Sequence, residues 1–138
     1  MSRPSVVLDS AGLIALGLGD PTAAALFRRA IEGDWDVVLP VEVVAQGMRV
    51  PMTRGVRDWQ KRVLGMVHRI ASPTVDDALL AASLLASTGS DDVVDAFVVV
   101  AALRALPALI LTSDDSDIRA LLDTQPDGSR VAVVHVDN

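Results

Sequence analysis

The sequence predicts an α/β protein, a three-layer α/β/α sandwich built around a central, mainly parallel β-sheet. Three observations carry that prediction. Short β-branched runs recur at residues 5–8, 36–39, 108–112 and 131–136. They are nearly continuously apolar, the pattern of strands covered on both faces, where a half-exposed strand would alternate. The stretches between them have helical length, which supplies the crossovers a parallel sheet needs.

The first helical stretches run over residues 11–18 and 21–32, parted by Gly19-Asp20-Pro21, where proline fits the first helical turn. Pro40 opens the next helix, which carries Glu42 in its first turn. Thr53 can cap a long amphipathic helix reaching about residue 70. Thr74, with Asp77 three residues later, resembles a capping box for residues 75–86. Together these predict a helical hairpin at about 53–86. A helix over 91–106 is stopped by Pro107, and a short one covers 115–122.

At 138 residues the chain is expected to form one domain over 1–138, able to bury roughly two-thirds of its unfolded surface. Hydrophobic residues make up 51% of it, but no run approaches the ~20 apolar residues of a membrane span. No apolar leader follows Met1-Ser2-Arg3-Pro4, so a cytoplasmic location without a membrane is expected. The absence of cysteine excludes disulfides, thiolate metal sites and cysteine nucleophiles.

In an open parallel sheet, ligands gather beyond the carboxyl ends of the strands. Acids stand there: Asp9 directly after the first run, Glu42 three residues after the second, Asp114 two after the third. Asp95 is a charge inside an otherwise apolar helix. Isolated buried carboxylates are costly, and no lysine or arginine neighbours these positions, so a shared hard cation is the economical partner. Oxygen donors without histidine select Mg²⁺ or Mn²⁺, which can receive an anionic phosphodiester. Asp9 and Asp114 could instead cap the helices that follow them. Asp91 and Asp92 read as dipole-stabilising first-turn residues, and Asp117 as an extra ligand or a holder of water. His68 and His135 read as surface or packing residues, and Trp35 and Trp59 as packing anchors.

The net charge of −6 argues against a uniformly basic nucleic-acid-binding surface. Yet Arg49, Arg54, Arg57, Lys61, Arg62 and Arg69 cluster against the single acid Asp58. This segment is either an RNA-binding border or a solvated helix face.

Four segments together resemble the PIN-domain family, in particular its compact VapC-type toxins, over essentially the whole chain. They are the run from Val6 through Asp9 to Leu16, Pro40-Val41-Glu42-Val43-Val44, the stretch from Asp95 to Ala102, and Leu111-Thr112-Ser113-Asp114-Asp115-Ser116-Asp117-Ile118. The resemblance implies a Mg²⁺- or Mn²⁺-dependent endoribonuclease, the toxin of a toxin–antitoxin pair, usually dimeric and restrained by a small VapB-like antitoxin in a larger complex. It implies Asp9, Glu42 and Asp95 as core metal ligands, Asp114 as the fourth, and Asp117 and Thr112 in support. The Asp114-Asp115 doublet leaves open which of the two turns inward. Hydrolysis by metal-activated water is the expected chemistry. An antitoxin helix is expected to dock around Trp59, Val63 and Met66 with Leu13 and Leu16.

Other α/β readings fail at particular residues. Gly17 and Gly19 follow a helix where a dinucleotide-binding loop would need them after the first strand. A receiver or haloacid-dehalogenase-type phosphatase expects a lysine near a later strand, but Lys61, the only lysine, lies in the predicted hairpin. The alternatives retained are a catalytically silent PIN-like interaction module and a PIN nuclease of RNA processing without an antitoxin.

Overall fold

The structure, a computed structural model, describes residues 3–49 and 53–137, without the side chains of Val56, Arg57 and Met66. Its strands are β1 (Ser5–Leu8), β2 (Asp36–Pro40), β3 (Arg69–Ala71), β4 (Ala108–Thr112) and β5 (Val131–His135). They form one sheet in the order β3-β2-β1-β4-β5, and every neighbouring pair is parallel. β1 is buried at all four positions and β2 at its last four. That is why both read as unbroken apolar runs. β5, at an edge, is only partly covered.

Seven helices accompany the sheet among the described residues: α1 (Ser10–Leu18), α2 (Pro21–Glu32), α3 (Val41–Met48), α4 (Arg54–Met66), α5 (Val75–Thr88), α6 (Val93–Leu103) and α7 (Asp115–Leu122). α1 packs on α2 and α4, and α6 packs on α5 and α7. Right-handed crossovers put the first group on one face of the sheet and the second on the other, which makes three layers. α3 touches both α1 and α6 and so bridges the layers. α6 is buried along most of its length because it lies against β1, β2 and β4 while α5 and α7 cover its back. Among the described residues no single helix is long and apolar enough to cross a membrane.

Local sequence sets the helix ends. Asp20 accepts the Ala23 N–H at 2.9 Å to start α2, and Thr74 and Asp77 form the reciprocal capping box of α5. Gly19 and Gly89 close α1 and α5 at positive φ, where a side chain would be strained.

The predicted hairpin at 53–86 is corrected. β3 interrupts it, pairing Arg69, Ile70 and Ala71 with Val38, Leu39 and Pro40. Sequence hid this strand because an exposed edge needs no apolar run, and Arg69 and Ile70 are both exposed. The expected docking groove is corrected too. Leu13, Leu16 and Val63 are fully buried where α4 packs on α1, and half-buried Trp59 leans on Phe27 with ring centroids 6.2 Å apart. They belong to the core. The side chain of Met66 lies outside the described residues.

Candidate active site

From β1 the chain moves outward to β2 and β3, then crosses back to β4 and β5 on the other side. The space beyond the carboxyl ends of β1 and β4 is therefore the switch point of the sheet, where helices diverge to opposite faces and leave a crevice. A cavity of about 220 Å³ opens there, lined by Asp9, Asp92, Asp95 and Asp114 together with Ser10, Gln46 and Arg49.

Asp9 follows β1 directly and is buried. Its carboxylate accepts the Gly12 N–H at 2.8 Å, capping α1, and also accepts the Thr112 hydroxyl. The capping and cavity-lining readings of Asp9 are thus both true of one side chain. Gly12 is needed for this: a Cβ there would meet the Leu111 carbonyl oxygen at 3.0 Å. Thr112, fully buried at the end of β4, also accepts the Asp114 N–H at 2.9 Å. One hydroxyl therefore ties the ends of β1 and β4 together.

Asp114 starts α7 but makes no side-chain cap bond, which leaves its carboxylate to the cavity. Asp115 turns away, with its Oδ1 2.7 Å from His135 Nδ1. The other nitrogen of that ring is 2.9 Å from Asp137 Oδ1. His135 is thus a bridge between two aspartates. His68 has a structural part, its Nδ1 accepting the Val37 N–H at 2.9 Å.

Asp95 stands in the first turn of α6, buried, and its Oδ2 has no hydrogen-bond partner. Burial, then the charges of Asp92, Asp9 and Asp114, push its pKa up to about 8. Burial raises Asp9 to about 6, with the Asp114 charge adding to it and the bonds from Thr112 and Gly12 opposing it. Both shifts mean that the negative charge is disfavoured where it stands and that a nearby positive charge would favour it. As placed, no three of the described acidic or histidine side chains gather to hold one ion. Mg²⁺ commonly binds through one or two carboxylates and keeps several waters. Asp9 and Asp95, with Asp114 nearby, fit that manner of binding, and the orphaned Asp95 oxygen is the donor left over for it.

Glu42 is not in this cavity. It lines a separate pocket of about 160 Å³ with Pro40, Arg69, Ile70, Phe97 and Arg104, beside the β3 edge. α3 follows β2 directly, and its first turn, with Glu42, lines the pocket at the β3 edge, whereas its C-terminal end lines the cavity of Asp9. Gln46, one turn later, is the residue that arrives, and the Ser10 hydroxyl donates to its Oε1. Sequence reasoning missed Gln46 and Ser10 because it searched for charge. It also read Asp92 only as a dipole-stabilising first-turn residue; Asp92 is the cap of α6, accepting the Asp95 N–H at 3.0 Å, and it lines the cavity as well. Its spacing three residues before Asp95 was the available signal. Asp117 is exposed on α7 and is not among the cavity residues.

The basic segment is spread over several elements. Arg49 lines the acidic cavity, Arg54, Lys61 and Arg62 are exposed on α4, and Arg69 stands at the β3 edge. The side chain of Arg57 lies outside the described residues.

Fold and crevice together define a parallel α/β protein with an acidic site at its switch point. Solved structures share that fold. VapBC2 from Rickettsia felis, bound to a DNA fragment from its promoter, contains a chain that matches with a TM-score of 0.67 and 12% identity, over 96% of this chain and 99% of that one. A chain of FitAB bound to the IR36 DNA fragment matches with a TM-score of 0.65 and 17% identity, over 96% and 98%. A chain of FitAcB from Neisseria gonorrhoeae gives 0.54 and 17%, over 93% and 95%. The architecture is the PIN-like three-layer sandwich. No protein-family profile and no curated protein matches the sequence.

The assignment of the chain to the VapC-type toxins is therefore corrected. At 12–17% identity the likeness is one of fold alone, and the similar structures are complexes that do not single out a toxin chain as the counterpart. The motif that rested on Glu42 also has no part in the cavity.

Proposed function

We propose that the chain is a Mg²⁺- or Mn²⁺-dependent endoribonuclease that hydrolyses RNA phosphodiester bonds as one half of a toxin–antitoxin pair. The observation that carries this reading is the buried, unpartnered Asp95 Oδ2 beside Asp9 and Asp114 at the switch point of the sheet. A divalent cation bound there supplies Lewis acidity and a water of lowered pKa.

The chain supplies the rest. The Gly12 amide and the Thr112 hydroxyl hold Asp9, and Thr112 fixes the backbone at Asp114. Burial of Asp95 under the start of α6 keeps its carboxylate from bulk water. Arg49 at the cavity and the exposed Arg54, Lys61 and Arg62 give an acidic protein a local attraction for phosphate. The similarity to VapBC2 and FitAB, which are toxin–antitoxin complexes, supports a small partner protein and an oligomeric assembly. A partner's arginine has the planar, permanent charge to pair with these carboxylates in place of a cation.

The test is cleavage of labelled RNA by the purified chain in Mg²⁺ or Mn²⁺, with chelator and with Asp9→Asn and Asp95→Asn as controls. Cleavage that persists in chelator or in both variants would overturn the reading. A catalytically silent interaction module is the second reading, favoured by the absence of a three-acid cluster among the described residues. Mn²⁺ binding without any cleavage would select it.

A further inference from the structure

The acidic cavity poses an electrostatic difficulty for its own substrate. Four of its lining side chains are carboxylates, and an anionic phosphodiester needs hydrogen-bond donors on the opposite wall. Among the described residues, the long donor side chains there are Gln46 in the last turn of α3 and Arg49 at its C-cap, three residues apart. That turn is held close to α1. Gly47 is buried, and a Cβ on it would lie 3.1 Å from Leu13 Cδ2, so the glycine is what allows the approach.

Gln46 has an amide with two faces, an oxygen that could hold a cation and a nitrogen that could hold an anion. The Ser10 hydroxyl decides between them. It donates to Oε1, which turns the oxygen side of the amide towards Ser10 and leaves Nε2 as its donor side. Ser10 itself is the first residue of α1, directly after Asp9, so the orientation of the amide is coupled to the residue that holds Asp9 in place.

We infer that Gln46, with its amide oriented by Ser10, binds a non-bridging oxygen of the phosphodiester, and that Arg49 adds the charge. Gln46 is then a substrate-binding residue and Ser10 a positioning residue. This rests on the ribonuclease reading and deepens it.

Two titrations on each variant test it, with melting curves to confirm the fold: Mn²⁺ alone by calorimetry, and a labelled single-stranded RNA by fluorescence anisotropy in Ca²⁺ to hold off cleavage. Gln46→Ala should weaken RNA binding about tenfold, the worth of a hydrogen bond to a charged group, and leave Mn²⁺ affinity within about twofold. Gln46→Glu, nearly the same shape, should weaken RNA binding at least as much while Mn²⁺ binds equally or more tightly. Ser10→Ala should weaken RNA binding less, and the double variant Ser10→Ala/Gln46→Ala should be no worse than Gln46→Ala, because both act on one contact.

Unchanged RNA affinity in Gln46→Ala and Gln46→Glu, from a chain that cleaves RNA, overturns the inference alone. Mn²⁺ affinity lost with Gln46→Ala overturns it too and makes Oε1 a cation ligand. A wild-type chain that neither binds Mn²⁺ nor cleaves RNA overturns the ribonuclease reading and this inference with it.

Discussion

His135 Nδ1 lies 2.7 Å from Asp115 Oδ1, and this contact divides the work of an aspartate doublet. Asp115 is spent on the end of β5, while Asp114 lines the cavity. Asp114→Asn should therefore weaken Mn²⁺ binding several-fold and Asp115→Asn should leave it within about twofold, a split read by calorimetry. Asp115 and Asp137 raise the pKa of His135. A raised folded-state value means that the contribution is present below the ordinary value of 6.5 and is lost as pH climbs through the higher one. Asp115→Asn should flatten the melting temperature across that window; equal Mn²⁺ losses in the two variants would refute the division.

Asp95 and Asp9 titrate in the opposite sense from most carboxylates. With folded values of about 8 and about 6 against 3.8, the folded chain keeps protons that the unfolded chain releases. Their contribution is present below about pH 4 and is lost as pH rises through 6 and then 8. Without divalent cation, Asp95→Asn should melt several degrees above wild type at pH 8 and close to it at pH 4. Mn²⁺ should raise the wild type at pH 8 and leave Asp95→Asn nearly unmoved. A wild type that outmelts Asp95→Asn at pH 8 in chelator would contradict the burial argument.

Glu42 and Asp9 should separate cleanly. Glu42→Gln is expected to keep Mn²⁺ affinity within about twofold, because its pocket adjoins the β3 edge, whereas Asp9→Asn should lose about tenfold or more. Calorimetry on the two variants decides it, and a comparable loss from Glu42→Gln would restore that residue to the site.

Gly12 carries structure and site at once. Gly12→Ala brings a Cβ to 3.0 Å from the Leu111 carbonyl oxygen and 3.2 Å from its Cβ, an overpacking expected to cost about 1–3 kcal/mol. Because the same residue donates to Asp9, Mn²⁺ affinity should fall with stability. Urea unfolding and calorimetry measure the two, and a variant as stable as wild type would show that α1 is free to shift.

Legibility followed burial. β1, β2 and β4 were readable because a strand covered on both faces must be apolar throughout, and the half-covered β5 because it keeps a run of valines; Arg69-Ile70-Ala71 was not, because its first two residues are exposed. Asp9, Asp95 and Asp114 stood out as charges in positions that had to be buried or to end a strand. Glu42 met the same criterion of strand-end proximity yet lines a different pocket, since proximity in sequence says nothing about the direction in which a helix leaves the sheet. Gln46 carried no charge to be noticed, and only the packing of α3 on α1 reveals it.

The pairing of β1 with β4, Val7 opposite Ile110, has a consequence for synthesis. Asp9 leaves the ribosome before the wall that completes its cavity, because Asp92 and Asp95 follow two further strands, Asp114 follows three, and most of the helices lie between. Closing so long a loop is slow and comes only when the intervening chain has organised. A nascent chain therefore carries the carboxylate without the cleft, which exists only once β4 has paired with β1. The topology thus makes the acidic cavity one of the last features of the fold to exist.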